Sequence, residues 1–231
     1  MELDASHSWL ALALTPGLAS RLSARVLRKF DSPDGVFRAS RAGLESCNLP
    51  AQVAQAIVKK ESFKRAEKEL DAVRKIANCR LLNWTEPEYP QTLLQVYDPP
   101  VLLYVRGDVQ VLNLPSLGIV GTRRPTLYGA QMAQRLGREL AARGLVVVSG
   151  LARGIDAIGH QGALEANGRA VGVLGTGIDV CYPKENKKLY EKVLERGGDH
   201  QRVSAADSSR TGEFSRAKSH RRRNAAWSGR D

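Results

Sequence analysis

Three glycine-containing turns carry the residues whose types and spacing point most directly to a chemistry. They span residues 121–125, 149–154 and 175–179, and each follows a short apolar run. A turn that opens a helix presents backbone N–H groups without intrahelical partners, at the positive end of the helix dipole, and such groups bind anions. Arginines in the first two turns add guanidinium groups that donate two parallel hydrogen bonds to a phosphate. The pattern predicts a phosphate-binding site.

The predicted site draws on all three turns. Because glycine lacks a Cβ, a sugar–phosphate chain can lie directly against the backbone at these positions. For any single turn the alternative is a tight loop that only closes a strand–helix unit, whereas three turns in tandem with arginines favour phosphate binding. The residues assigned to the site are Gly121, Thr122, Arg123, Arg124, Ser149, Gly150, Arg153, Gly154, Gly175, Thr176 and Gly177.

The common nucleotide-binding motifs are absent from these turns. Gly118 and Gly121 are separated by two residues, so the first turn lacks the Gly-x-Gly-x-x-Gly fingerprint of dinucleotide sites. The acidic residue expected at the end of the second strand is replaced by Ser149 and Gly150. No Gly-x-x-x-x-Gly-Lys-Ser/Thr motif occurs either. The sequence therefore predicts neither NAD nor ATP, and no cofactor is assigned.

Catalytic candidates are few. Asp156 and His160 are four residues apart, so they share a helix face and, beside Ser149, form an imaginable acid–base group. The helix dipole already explains Asp156, and packing explains His160, so no catalytic residue is assigned and the protein is not predicted to be an enzyme. The cysteines form no Cys-x-x-Cys pair, which predicts reduced thiols in a cytoplasmic protein and no metal site. They are Cys47, Cys79 and Cys181.

The apolar runs before the turns predict the elements that hold the site. Runs of this length, separated by amphipathic segments, are typical of buried parallel strands joined by right-handed helical crossovers, which place all three turns along one sheet edge. In the first crossover helix, residues 125–143, we expect Met132, Leu136 and Leu140 to face the sheet. Two upstream strands, 80–84 and 100–108, are predicted to extend that sheet. The expected fold class is α/β.

The remainder of the chain divides into a helical beginning and a polar end. Residues 1–78 predict a small all-α domain with helices at 18–30 and 62–76, and 79–198 the α/β domain. The segment 15–18 is either the hairpin of a helix-hairpin-helix that approaches DNA or a plain connection. Residues 199–231 are rich in Ser and Arg without aliphatic periodicity, which predicts no packed structure and leaves the third parallel strand as an exposed edge.

Charge and hydropathy limit the partner class. The formal net charge of +11 favours a polyanionic partner, because each neutralised phosphate releases condensed counterions. No run of about 18 apolar residues exists, so no membrane span is predicted. Residues 1–5 are acidic where a signal peptide is basic.

Several motifs in order closely resemble the DprA (Smf) family of bacterial DNA-processing proteins. The motifs lie at 118–125, 128–129, 149–156, His160, 173–179 and 182–186, with a similar lead-in at 89–107. The resemblance implies a Rossmann-like domain preceded by a SAM-like or helix-hairpin-helix domain. It also implies a non-enzymatic protein of natural transformation that binds single-stranded DNA, protects it from nucleases, and helps load RecA in place of single-strand-binding protein. Arg123, Ser149, Gly150 and Arg153 fall on its pocket motifs.

The resemblance is expected to end near Gly198. Family members continue with a Phe-Pro-x-Arg-Asn-Arg segment, further strands, and surfaces for homodimerisation and RecA contact. We therefore expect a truncated or frameshifted product with an incomplete sheet, impaired function and no dimer surface. The alternative function is that of a LOG-like nucleotide phosphoribohydrolase or another nucleotide-binding Rossmann enzyme, but 175–179 lacks the glutamate of that group's Pro-Gly-Gly-x-Gly-Thr-x-x-Glu motif.

Overall fold

The computed structural model describes residues 5–195 and 201–205. Its first part consists of short helices that enclose an apolar core, as predicted. Two of them begin at serine caps: the hydroxyl oxygens of Ser32 and Ser40 each accept a hydrogen bond from the N–H three residues later, at 3.1 Å. The helices are α1 Ala5–Ala13, α2 Ser20–Phe30, α3 Pro33–Arg38, α4 Arg41–Glu45, α5 Ala51–Val58 and α6 Phe63–Arg74.

The second part is a six-stranded mixed sheet with the strand order β1-β2-β6-β5-β4-β3. Strands β3 to β6 are parallel, whereas β2 runs antiparallel to both β1 and β6. This confirms the α/β class and the two upstream strands. The strands are β1 Cys79–Asn83, β2 Leu102–Arg106, β3 Ser116–Gly118, β4 Val146–Ser149, β5 Ala170–Leu174 and β6 Gln201–Ala205. The intervening helices are α7 Gln91–Leu94, α8 Leu127–Ala142, α9 Ile155–Glu165 and α10 Lys187–Glu195, with 3-10 turns at Val109–Asn113 and Lys184–Asn186.

The prediction that residues 199–231 form no packed structure is wrong for 201–205, which form β6. This strand pairs with β2 on one side and β5 on the other, so β5 is not the exposed edge that we expected. The physical reason is backbone pairing: β2 and β5 are buried strands whose N–H and C=O groups need partners, and that demand is independent of aliphatic periodicity. The remainder of the segment lies outside the described residues.

The outer strand next to the turns is β3, and it departs from the predicted buried run. All three of its residues are exposed, and it pairs with β4 alone. Helix α8 also differs, since Ala133, Gly137 and Ala141 are buried whereas Leu136 is exposed. Helix α8 packs directly on α9, where a Cβ at Gly137 would lie 2.2 Å from the carbonyl oxygen of Gly159. This close approach requires small residues and turns Leu136 outward.

One cluster of buried residues joins the N-terminal helices to the sheet. The indole rings of Trp9, in α1, and Trp84, after β1, meet edge to face with centroids 6.3 Å apart. Leu10 and Val26 of the helices belong to the same buried cluster as Leu102 of the sheet. In the part of the chain described, no helix has the length and hydropathy needed to cross a membrane.

Candidate functional site

The first two glycine turns, after β3 and β4, are packed against each other at one edge of the sheet. The N–H of Ile155 donates to the carbonyl oxygen of Thr122 at 3.2 Å. A Cβ at Gly154, where φ is +79°, would lie 2.3 Å from that same oxygen, and one at Gly121 would lie 2.7 Å from Cγ1 of Ile155. These two glycines are thus required for contact between the turns. The sequence predicts a different role for them, the close approach of a sugar–phosphate chain to the backbone.

Asp156 connects the same two turns through its carboxylate. Oδ1 accepts from the N–H of Gly121 at 3.4 Å and Oδ2 from the N–H of Gly150 at 3.2 Å. The residue is buried, in the first turn of α9. Because an internal anion already occupies these two amides, they are not available to a phosphate. The helix dipole alone explains an acidic residue at this position, and nothing in the sequence indicates the bridge.

Ser149 and His160 lie beneath the edge. The Ser149 hydroxyl donates to the carbonyl oxygen of Ile119 at 2.5 Å, and the residue is 3% exposed. His160 is fully buried in α9. Neither side chain is presented to a ligand at the surface, so the structure does not assemble Asp156, His160 and Ser149 into an accessible acid–base group.

The arginines of the two turns differ in their surroundings. Arg123 and Arg124 are exposed, and neither side chain forms an ion pair or hydrogen bond within the described residues. Arg153, also exposed, is bonded to Glu185. The pKa of Glu185 is lowered, first by a backbone hydrogen bond at residue 185 and then by the Arg153 guanidinium. The charge of Arg153 is therefore partly compensated, while the other two remain available to an anion.

The third turn closes mainly on itself. The Thr176 hydroxyl donates to the carbonyl oxygen of Val180 at 3.2 Å, and the N–H of Val180 donates to Gly177 at 2.9 Å. Gly175 precedes them at the end of β5 and is exposed. Asn186, which the sequence signalled only within a family motif, donates to the carbonyl oxygens of Leu151 and Ala152 at 2.8 and 3.2 Å. It ties the segment after the third turn to the second turn.

An exposed aromatic residue follows the first turn. Tyr128, in the first turn of α8, is 72% exposed, and no contact of its ring or hydroxyl is found within the described residues. Thr126 caps this helix by accepting the N–H of Gly129 at 3.1 Å. Tyr128 follows Arg124 by four residues in the chain. The sequence signalled it only within a family motif, without a role.

No group of three or more His, Cys, Asp or Glu side chains in the described residues is arranged to hold a metal ion. The three cysteines form no disulfide. The exposed arginines of these turns offer positive charge and hydrogen-bond donors, and Tyr128 offers an exposed aromatic ring.

Comparison with known proteins relates this architecture to DNA processing. The family model described as DNA recombination-mediator protein A matches residues 80–222. Protein Smf of Synechocystis sp. is 31% identical over 194 residues, 82% of this chain and 48% of that protein. DNA processing protein DprA of Bacillus subtilis is 45% identical over 109 residues, 47% of this chain and 37% of that protein.

The X-ray structure of DNA processing protein A from Streptococcus pneumoniae is similar, with a TM-score of 0.69 and 27% identity over 89% of this chain and 68% of that one. The chain spans about half or less of the length of these curated relatives. The family match contains all three glycine turns and continues past residue 198, where the resemblance was expected to end. On this match, which covers more than half of its residues, the chain belongs to the DprA/Smf family of DNA-processing proteins.

Proposed function

We propose that this chain binds single-stranded DNA at the edge formed by the first two glycine turns, without catalysing a reaction. The observation that carries the proposal is the pair of exposed arginines, Arg123 and Arg124, that have no partner within the described residues. Their charges are uncompensated and stand on a turn that Gly154 and Ile155 hold in place. Such groups neutralise phosphates and release counterions.

Asp156 supports polymer binding over nucleotide chemistry. Its carboxylate takes the amides of Gly121 and Gly150, which in a nucleotide site would bind a phosphate directly. Contacts must therefore come from the flexible arginine side chains. Weak contacts of this kind suffice only when a ligand offers many phosphates along a chain. The same carboxylate argues against a LOG-like nucleotide hydrolase.

Tyr128 favours a single strand over a duplex. Bases in a single strand are free to stack on an exposed aromatic ring, and such stacking is worth about 1–3 kcal/mol per base. The ring of Tyr128 is exposed, four residues along the chain from Arg124. The site residues proposed to touch DNA are therefore Arg123, Arg124 and Tyr128, with Arg153 as a further cation, while the glycines, Ser149, Thr122 and Thr176 shape the turns.

We further propose that the bound strand is protected from nucleases and passed to RecA in place of single-strand-binding protein during transformation. Family membership and the proposed DNA site support this role. The chain spans about half or less of the length of its curated relatives. For the described residues, we therefore propose only the DNA-binding step of this role.

The test is a titration of labelled oligo-dT against the full chain at several salt concentrations, with Arg123→Ala as the variant. The matched control is Arg135→Ala, in α8, whose guanidinium is already bonded to Glu139 at 2.7 Å. We expect Arg123→Ala to weaken binding and to reduce the salt slope by about 0.7, the value for one lost phosphate contact on a single strand. The control should bind like the wild type. An unchanged slope in a folded Arg123→Ala protein would refute the proposed site.

A further inference from the structure

We propose that helix α2 is a second contact surface for single-stranded nucleic acid, with Tyr97 as the ring on which a base stacks. The proposal goes beyond the function above, because it concerns elements other than the glycine turns. It rests on the placement of four cations along one helix and on an exposed aromatic ring held beneath one of them.

The cations follow the helical repeat. Arg21, Arg25 and Arg28 stand at positions i, i+4 and i+7 of α2 and therefore share one face. The buried residues Ser23, Val26 and Leu27 lie on the opposite face, against the core. The stripe is held in a fixed orientation by this packing, because the apolar face cannot turn outward without exposing its side chains. Lys29 flanks the stripe at the C-terminal end.

Within the residues that the structure describes, no acidic group compensates these positive charges. Arg25 donates to the carbonyl oxygen of Cys47 at 3.1 Å, and Lys29 donates to Gly43 and Ser46, all of them neutral partners. Arg28 is exposed and has no partner within the described residues. Helix α2 contains no Asp or Glu, and Asp31, which follows it, forms no ion pair with these cations in the described part of the chain.

Helix α6 shows the usual composition of a solvated helix. Its sequence alternates basic residues with Glu67, Glu69 and Asp71, and Asp71 lies 3.7 Å from the guanidinium of Arg74. In α2, which has no acidic residues, the like charges repel one another. Binding of a polyanion would relieve this repulsion. A chain of phosphates matches a linear stripe of cations, so charge complementarity favours a nucleic acid backbone.

Tyr97 offers an exposed aromatic ring, which can contact a base rather than a phosphate. It lies between α7 and β2, and the guanidinium carbon of Arg21 sits 4.9 Å from the centroid of its ring. The phenol oxygen also accepts a hydrogen bond from Arg21. The residue is nevertheless 79% exposed. A cation on one face orients the ring and leaves most of it open, and an oriented exposed ring is the platform on which an unpaired base stacks.

The experiment separates the two contributions by their salt dependence. Labelled oligo-dT is titrated against the full chain from low to high salt, using Arg28→Gln, Tyr97→Ala and the control Lys68→Ala. Lys68 is exposed on α6 among acidic neighbours, so its removal changes the net charge equally without touching the stripe. Far-UV circular dichroism and melting temperature confirm that each variant is folded. Tyr97→Phe, which keeps the ring, is measured alongside.

We expect Arg28→Gln to reduce the salt slope by about 0.7. Tyr97→Ala should weaken binding about 5- to 150-fold at every salt concentration with the slope unchanged, as for one lost stacking contact. Tyr97→Phe should bind like the wild type. A wild-type slope in Arg28→Gln, a wild-type affinity in Tyr97→Ala, or an equal slope change in Lys68→Ala overturns the proposal. Arg123→Ala measured in the same series reports separately on the site at the glycine turns.

Discussion

Replacing Asp156 by alanine tests whether one carboxylate holds the first two glycine turns together. The substitution leaves the N–H groups of Gly121 and Gly150 without their acceptor. An unsatisfied buried donor costs about 1–3 kcal/mol. Gly150 is half-buried, whereas Gly121 is exposed and can recover a water. We therefore expect the free energy of unfolding to fall by about 1–3 kcal/mol, or about 2–12 °C in melting temperature.

The assay is urea unfolding of Asp156→Ala and Asp156→Asn beside a control, Asp71→Ala. An asparagine offers one acceptor oxygen and turns its NH₂ group towards the other donor, so Asp156→Asn should also be destabilised despite its matching shape. Asp71 forms only an exposed ion pair, and its loss should change the stability by less than about 1 kcal/mol. Wild-type stability of Asp156→Asn at an unchanged denaturant slope would refute the two-acceptor bridge.

Two further outcomes follow from packing and from burial. Gly137→Ala should destabilise the protein by at least about 1–3 kcal/mol in urea unfolding, since its Cβ would lie 2.2 Å from the carbonyl oxygen of Gly159. The control Gln131→Ala, on the exposed side of α8, should leave the stability unchanged. Equal stabilities of the two variants would contradict the close approach of α8 to α9. Burial raises the pKa of Cys79 to about 11, with a smaller opposing effect of Arg106. Its alkylation by iodoacetamide in the folded protein should therefore stay slow until the pH nears 11. Since the unfolded thiol ionises near its ordinary value of 9.0, Cys79 should also lower the stability progressively as pH rises from about 9 to 11; rapid alkylation at pH 9 would contradict this.

The class of fold and the edge that carries the turns were predictable from local patterns. Apolar runs bounded by glycine turns identify parallel strands, and the handedness of crossovers places the turns after β3 and β4 on one edge. The exposure of β3 and of Leu136 was not predictable in the same way. Hydropathy shows that a segment can be buried. Which element covers it, if any, depends on how distant parts of the chain pack together.

The candidate site shows the same division. Residue type alone predicted arginine as the phosphate ligand, because no neighbour changes the charge or the planar geometry of a guanidinium. Residue type could not show that Arg153 is bonded to Glu185, or that Asn186 supports the second turn, since the partners in both contacts are more than 30 residues apart in the chain.

The sequence by itself determined the order of the elements before β6, the glycines of the turns and the positive charges, because these depend on local backbone freedom and side-chain chemistry. Only the tertiary structure decided what the turns do with their amides: Asp156 occupies those of Gly121 and Gly150, and the glycines serve contact between two turns. It also placed β6 between β2 and β5, a position without a signal in composition. Backbone hydrogen bonds and close packing join residues distant in the chain, and their partners exist only once the chain has folded.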